Sequence, residues 1–265
     1  MDKTIELVNN VKDIHAMPTV IVKALNIMKK PTASMKELGD IVMYDQSLTI
    51  KFLALVNSAY YGFSQQISSI NIALSLLGMT KVKNIIVAVA MKPMMSNQGD
   101  KELWKHSMRV ASGCEYLANL TKIMDSDEAF IAGFVHDVGK IVLHMTNEKL
   151  YTKVINSVDA GGSILDLEKK YFDSDHVKTG SLLAKRWQLP ILLANTITYH
   201  HSPNLSSIPV PCNLVCFVDK LVQTNFNPNG IDKDFCNTLG IDFEDLEDLR
   251  KAILQKAEVM ISELS

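Results

Sequence analysis

The chain has 265 residues, 47% hydrophobic and 21% charged, which suits a globular protein with a substantial core, as one large domain or two small ones. Its net charge of −2, without a concentrated Lys/Arg stripe, argues against nucleic acid as a partner. The start Met1-Asp2-Lys3-Thr4 lacks a signal-peptide pattern and apolar stretches such as residues 85–91 are too short to span a bilayer, so a cytoplasmic chain with no membrane partner is expected.

Helical punctuation fills the sequence and strand-like alternation is scarce, which predicts an all-α fold. Pro18 fits the first turn of a helix through about Lys30. Ser34 with Glu37 three residues later is a capping box ahead of Leu38, Ile41 and Val42. Asp45 is expected to cap the next helix, with Leu48, Phe52, Leu55 and Val56 on one face. Ile50 and Leu53 elsewhere around it predict that this helix is largely buried. Ser69 starts a short helix ending at Gly78, and Thr80 is expected to cap another that Pro93 stops.

Residues 94–100 read as a boundary, giving an amino-terminal helical lobe over 1–95 and a second lobe over 96–265. A long helix follows with Leu103, Val110, Cys114 and Leu117 inward. Ser126 is placed as the cap of the helix that delivers His136-Asp137, and Gly161-Gly162 ends the one after it. His176 lies near the start of a further helix. Pro190 begins the next, whose far end presents His200-His201 before Pro203. Asp242 is expected to cap a final amphipathic helix through Leu246, Leu249, Ile253 and Met260.

The four cysteines show no disulfide spacing and are expected to be reduced, buried thiols. Cys212 and Cys216 are one helical turn apart, but no second Cys/His pair completes a zinc-finger pattern. The histidines carry more. An adjacent imidazole and carboxylate at His136-Asp137 suit one metal ion and a bridge to another. Asp219 sits inside the apolar run 215–222, where a charge costs several kcal/mol unless it is paired or bound to a cation. Glu102, His106 and Arg109 share a helix face, so Glu102 is an additional candidate ligand or an acceptor behind a ligating imidazole. A solvated Glu–His pair is the alternative.

Over nearly all of residues 14–220 the chain resembles HDOD proteins. Its first half does so through Met17-Pro18, Asp45-Gln46-Ser47-Leu48, Asn57-Ser58-Ala59-Tyr60-Tyr61-Gly62 and the run from Ser69-Ile70 to Leu77-Gly78. Its second half is similar to the HD superfamily of metal-dependent phosphohydrolases. There the matching segments are Leu103-Trp104-Lys105-His106-Ser107, His136-Asp137-Val138-Gly139-Lys140, Asp175-His176 and Tyr199-His200-His201, while Trp187-Gln188-Leu189-Pro190 also resembles the HDOD pattern. The resemblance implies a metal site of His106, His136, Asp137 and Asp219, with His176, His200 and His201 as the further ligands of a binuclear branch, and Asp137 as the bridge. Lys140 matches a lysine beside substrate phosphate, so Asp137 and Lys140 are the implied catalytic residues. The implied cofactor is one or two divalent ions among iron, manganese, zinc and magnesium.

The Gly-Tyr-Pro motif that accompanies cyclic di-GMP hydrolysis is absent, with Ser202-Pro203-Asn204-Leu205 in its place. The resemblance therefore implies a regulatory signalling protein with a metal site, acting with a signalling protein partner. The alternative it implies is a phosphohydrolase acting on a phosphodiester or other phosphorylated small molecule or nucleotide. Tyr60-Tyr61-Gly62-Phe63 reads as a packed loop between helices rather than an aromatic binding patch. His15 and His144 match no motif.

Overall fold

The computed structural model describes residues 2–11, 21, 23, 34–44, 46–95, 102–159 and 161–264. The chain is all-α, and no strand occurs among the described residues. The expected Pro18 helix, the Asp45 cap and most of the 94–100 boundary lie outside the described residues.

The helices run α1 (Lys3–Asn10), α2 (Met35–Tyr44), α3 (Gln46–Val56), α4 (Ile70–Leu77), α5 (Met79–Met95), α6 (Glu102–Thr121), α7 (Ser126–Val135) and α8 (Gly139–Thr146). They continue as α9 (Glu148–Asp159), α10 (Ile164–Phe172), α11 (His176–Arg186), α12 (Ile191–Tyr199), α13 (Pro209–Leu221), α14 (Lys233–Thr238) and α15 (Leu246–Leu264). Among the described residues no single helix is long and apolar enough to cross a membrane.

Local signals explain most of these ends. Ser34 and Glu37 form the reciprocal capping box, with the Ser34 N–H donating to Glu37 Oε2 at 3.0 Å and the Glu37 N–H to Ser34 Oγ at 3.3 Å. Gly78 takes φ 79°, which ends α4, and α5 begins at the next residue. Thr80 therefore lies inside the first turn of α5 instead of capping it, and Pro93 sits within its last turn instead of stopping it. Asn147 separates two helices where one was expected: its N–H closes α8 on the Leu143 carbonyl, and its Oδ1 accepts from the Leu150 N–H at 3.0 Å. Asp242 caps a short 3₁₀ turn that leads into α15.

In α3, Leu48, Phe52, Leu55 and Val56 are buried as their spacing predicts. Ile50 is not: it is 60% exposed, so α3 is buried along one stripe rather than largely all round. Two residues on from Leu48 is the opposite side of a 3.6-residue helix, and apolar character does not change that direction.

Contacts concentrate in two compact units, Met1–Met17 with Ala132–Phe217, and Pro18–Ile131 with Val218–Ser265. The expected division at residue 95 does not coincide with them. In the first unit, α1 packs on α11 and α8, with Thr4 Oγ1 and Ser174 Oγ hydrogen-bonded at 2.9 Å. In the second, α15 packs on α6 and α3. Gly113 on α6 allows this approach, because a Cβ there would meet Val218 at 2.5 Å and Ile253 at 3.0 Å. Buried Glu115 accepts a hydrogen bond from Tyr60, with Lys81 and Lys256 ammonium groups at 3.8 and 3.9 Å. Within the loop, Tyr61 and Phe63 stack at 6.3 Å.

Candidate metal centre

The His136-Asp137 pair lies in a turn between α7 and α8. Asp125, rather than Ser126, caps α7, accepting from the Asp127 and Glu128 N–H groups at 3.0 and 2.9 Å. After α7 ends at Val135, His136, Asp137 and Val138 form the turn, which closes through the Lys140 N–H on the Asp137 carbonyl at 2.9 Å. Gly139 then opens α8 against the backbone of α11. A Cβ on Gly139 would lie 1.9 Å from the His176 carbonyl oxygen and 2.6 Å from the Gly180 nitrogen. Thr179 Oγ1 ties the crossing by donating to the Gly139 carbonyl at 3.1 Å. This backbone contact sets Asp137 beside the start of α11.

Three buried imidazoles have their Nδ1 atoms engaged. His136 Nδ1 is 2.7 Å from the Gly133 carbonyl, and His200 Nδ1 is 3.1 Å from the carbonyls of Thr196 and Ile197. His176 Nδ1 is 2.7 Å from Glu168 Oε2. Carbonyl and carboxylate oxygens accept, so each Nδ1 carries the proton and each Nε2 presents a lone pair. Burial first, then the neighbouring His136 and His201, holds the His200 imidazole well below the usual histidine range. That keeps it neutral and able to ligate.

Those Nε2 atoms converge. His176 Nε2 stands 3.0 Å from His201 Nε2 and 3.4 Å from His200 Nε2. Asp137 Oδ1 lies 3.4 Å from His176 Nε2 and 3.7 Å from His200 Nε2, and Asp137 Oδ2 lies 3.2 Å from His136 Nε2. Metal–nitrogen bonds of about 2.0–2.1 Å put neighbouring donors roughly 3–3.5 Å apart, so this set fits a divalent cation. The His176 and His200 Nε2 atoms, 3.4 Å apart with both ring protons spent on Nδ1, repel unless a positive charge lies between them. His136, Asp137, His176 and His200 are at most 1% exposed, while His201 is half-buried. Lys140 Nζ sits 2.5 Å from Asp137 Oδ2 and neutralises the carboxylate from the side opposite the imidazoles of His176 and His200.

His106 and Asp219 belong to the other unit, where His106 Nε2 and Asp219 Oδ1 lie 3.1 Å apart. The buried acid in the apolar run thus has an imidazole beside it. Burial and Asp219 together push the Cys114 thiol up. Glu102 is exposed and forms ion pairs with Lys105 at 2.8 Å and Arg109 at 3.9 Å. All four cysteines are free and buried, and none joins a ligand-type cluster among the described residues. Sequence reasoning missed Glu168 and Gly139, since a glutamate in a helix and a glycine after a turn have ordinary solvent-facing and punctuation roles.

The chain is similar to a crystal structure of an HDOD domain protein of unknown function from Geobacter sulfurreducens, with TM-score 0.84, 22% identity and coverage of 98% and 97% of the two chains. It is also similar to the structure of a candidate metal-dependent phosphohydrolase from Shewanella amazonensis SB2B, with TM-score 0.62, 17% identity and full coverage of both chains. At these identities the likeness concerns the fold. A curated relative, an uncharacterized protein of Treponema pallidum, is 25% identical over 205 residues, which is 74% of this chain and 39% of that protein's length. The chain thus matches about two-fifths of that relative. The HDOD domain model matches residues 14–203, and by that match the chain belongs to the HDOD family.

Proposed function

We propose that this chain is a metal-dependent signalling module, in which His176, His200, His201 and Asp137 hold a divalent ion and a protein partner reads the ion-loaded state. The convergence of the three Nε2 atoms with Asp137 Oδ1, while the His176 and His200 protons are committed to Glu168 and to backbone carbonyls, carries this reading. Three imidazole nitrogens with one carboxylate suit a borderline first-row ion such as zinc, iron or manganese better than magnesium. Deep burial of the donors favours an ion that braces α8, α11 and the end of α12 against one another over one that turns substrate over. His136, with Nε2 at 3.2 Å from Asp137 Oδ2, is the further ligand candidate.

A second reading, hydrolysis of a phosphodiester or nucleotide, is favoured by Lys140, whose side chain is 18% exposed beside the donors. An ion at this site would supply Lewis acidity toward a phosphoryl oxygen. In that reading Lys140 leaves Asp137 to hold phosphate, and the Nδ1 anchors of His136, His176 and His200 keep the donors in place.

The test is metal analysis of the purified chain beside His176→Ala, His201→Ala and Asp137→Ala variants. At least one ion per wild-type chain, lost in the variants, is expected, and equal content in all four would remove the site. A panel of phosphodiesters and nucleotides with added manganese or iron(II) separates the two readings. Silence in the metal-loaded chain supports the signalling module, and turnover abolished by Asp137→Ala replaces it with the hydrolase.

A further inference from the structure

Glu168 is fully buried on α10, in a chain whose other helix-surface glutamates face solvent or pair with lysine and arginine. Ser163 caps α10, and Asp173 takes φ 54° at its end, which folds the chain back so that α11 starts against the side of α10. Asp175 caps α11 through the Lys178 N–H at 2.8 Å. The first residue of α11, His176, is thereby laid along the Glu168 carboxylate. One oxygen, Oε2, accepts from the His176 backbone N–H at 2.8 Å and from its Nδ1 at 2.7 Å. The other, Oε1, faces the Tyr151 hydroxyl at 3.5 Å, and Tyr151 packs on Phe172 and His144.

A buried carboxylate is costly without a compensating positive charge. Among the described residues no lysine or arginine pairs with Glu168, and its side-chain partner is the imidazole of His176, which donates from Nδ1. The amino-terminal end of α11 offers a partial positive charge, which the His176 N–H delivers. A cation on the far nitrogen of the same ring, Nε2, would complete the compensation, and that is the atom aimed at His200 and His201. An acceptor-only group on Nδ1 fixes the tautomer, orients the ring and raises the basicity of Nε2.

We infer that Glu168 is a positioning residue of this centre, setting His176 as its anchoring ligand by holding the ring proton on Nδ1 and placing a negative charge behind it. The inference rests on the metal-binding reading above. It concerns a residue that touches no ion itself and acts only through His176.

The experiment measures Zn²⁺ affinity of the full chain by competition with a fluorescent chelator, for wild type, Glu168→Gln and His176→Ala, together with the melting temperature of each metal-free protein. Glutamine keeps the volume and an accepting oxygen but not the charge. Glu168→Gln is therefore expected to weaken Zn²⁺ roughly 10- to 100-fold while the metal-free melting temperature barely moves. Unchanged affinity in Glu168→Gln, beside a loss in His176→Ala, would overturn this inference and leave the metal centre standing. Absence of Zn²⁺ binding by the wild type would overturn both. A measurement on the unaltered metal-free chain gives a second check: long-range ¹H–¹⁵N spectra of the histidines should show His176 protonated on Nδ1, and protonation on Nε2 would sink the proposal.

Discussion

Replacing Gly139 by alanine is the sharpest test of how the centre is assembled. The added Cβ would lie 1.9 Å from the His176 carbonyl oxygen, 2.8 Å from its carbon and 2.6 Å from the Gly180 nitrogen. All three are backbone atoms, so no side chain can rotate away, and α8 and α11 must part by about 1 Å at the crossing. Overpacking of this kind costs typically about 1–3 kcal/mol, with the upper end expected here because only backbone can yield. The Thr179 hydrogen bond to the Gly139 carbonyl, now 3.1 Å, would also be stretched. For a chain of this size 3 kcal/mol corresponds to roughly 6–12 °C in melting temperature. The same displacement acts directly on the 3.4 Å separation of Asp137 Oδ1 and His176 Nε2, so the gain in melting temperature on adding Zn²⁺ should shrink too. Gly180→Ala is the control: its Cβ would press first on Ile197 Cγ2 at 2.7 Å, a side-chain atom that can move. Its loss should be less than half as large. Thermal melts with EDTA and with Zn²⁺ decide the matter. A Gly139→Ala protein melting within about 2 °C of wild type, with the same gain from Zn²⁺, would refute the crossing argument.

Two further outcomes follow from buried groups. His200 has its folded-state pKa pushed down by burial and by His136 and His201, so the unfolded chain takes up a proton near pH 6.5 that the native chain refuses. Its contribution to stability is therefore present above that pH and is lost as pH falls below it, by up to about 1.4 kcal/mol per pH unit. Urea midpoints in EDTA at several pH values between 7.5 and 5 should show this slope, and His200→Asn should flatten it; equal slopes would contradict the assignment. In the other unit, Tyr60→Phe removes the hydroxyl that donates to buried Glu115 and should cost about 1–3 kcal/mol in urea unfolding. A cost below about 0.5 kcal/mol would mean that Lys81 and Lys256, at 3.8 and 3.9 Å, satisfy the carboxylate unaided.

Residue chemistry alone singled out the candidate ligands, because imidazole and carboxylate groups at His136-Asp137, His176 and His200-His201 stand out against an ordinary composition. It reached the helix ends where the signal is made within a few residues, as in the Ser34–Glu37 box, the left-handed Gly78 and the Asp242 cap. It misjudged ends where neighbours compete for one role, taking Ser126 for Asp125 and Thr80 for the turn at Gly78–Met79. Exposure of Ile50 was legible in its position opposite Leu48, had direction been weighed above apolar character.

By itself, then, the order of residues determined that the chain is helical, where many of its helices start and stop, and that it carries imidazole and carboxylate groups of the kind that ligate metals. Those properties rest on hydrogen bonds spanning about four residues and on side-chain chemistry, both of which are local. Only the tertiary structure decided that Glu168 backs His176, that Lys140 lies on Asp137, that Glu102 turns to surface lysine and arginine, and that Gly139 marks a backbone crossing. Each depends on which stripe of one helix meets which stripe of another, and helices joined by similar turns with similar apolar faces leave that choice to the packing of the whole core.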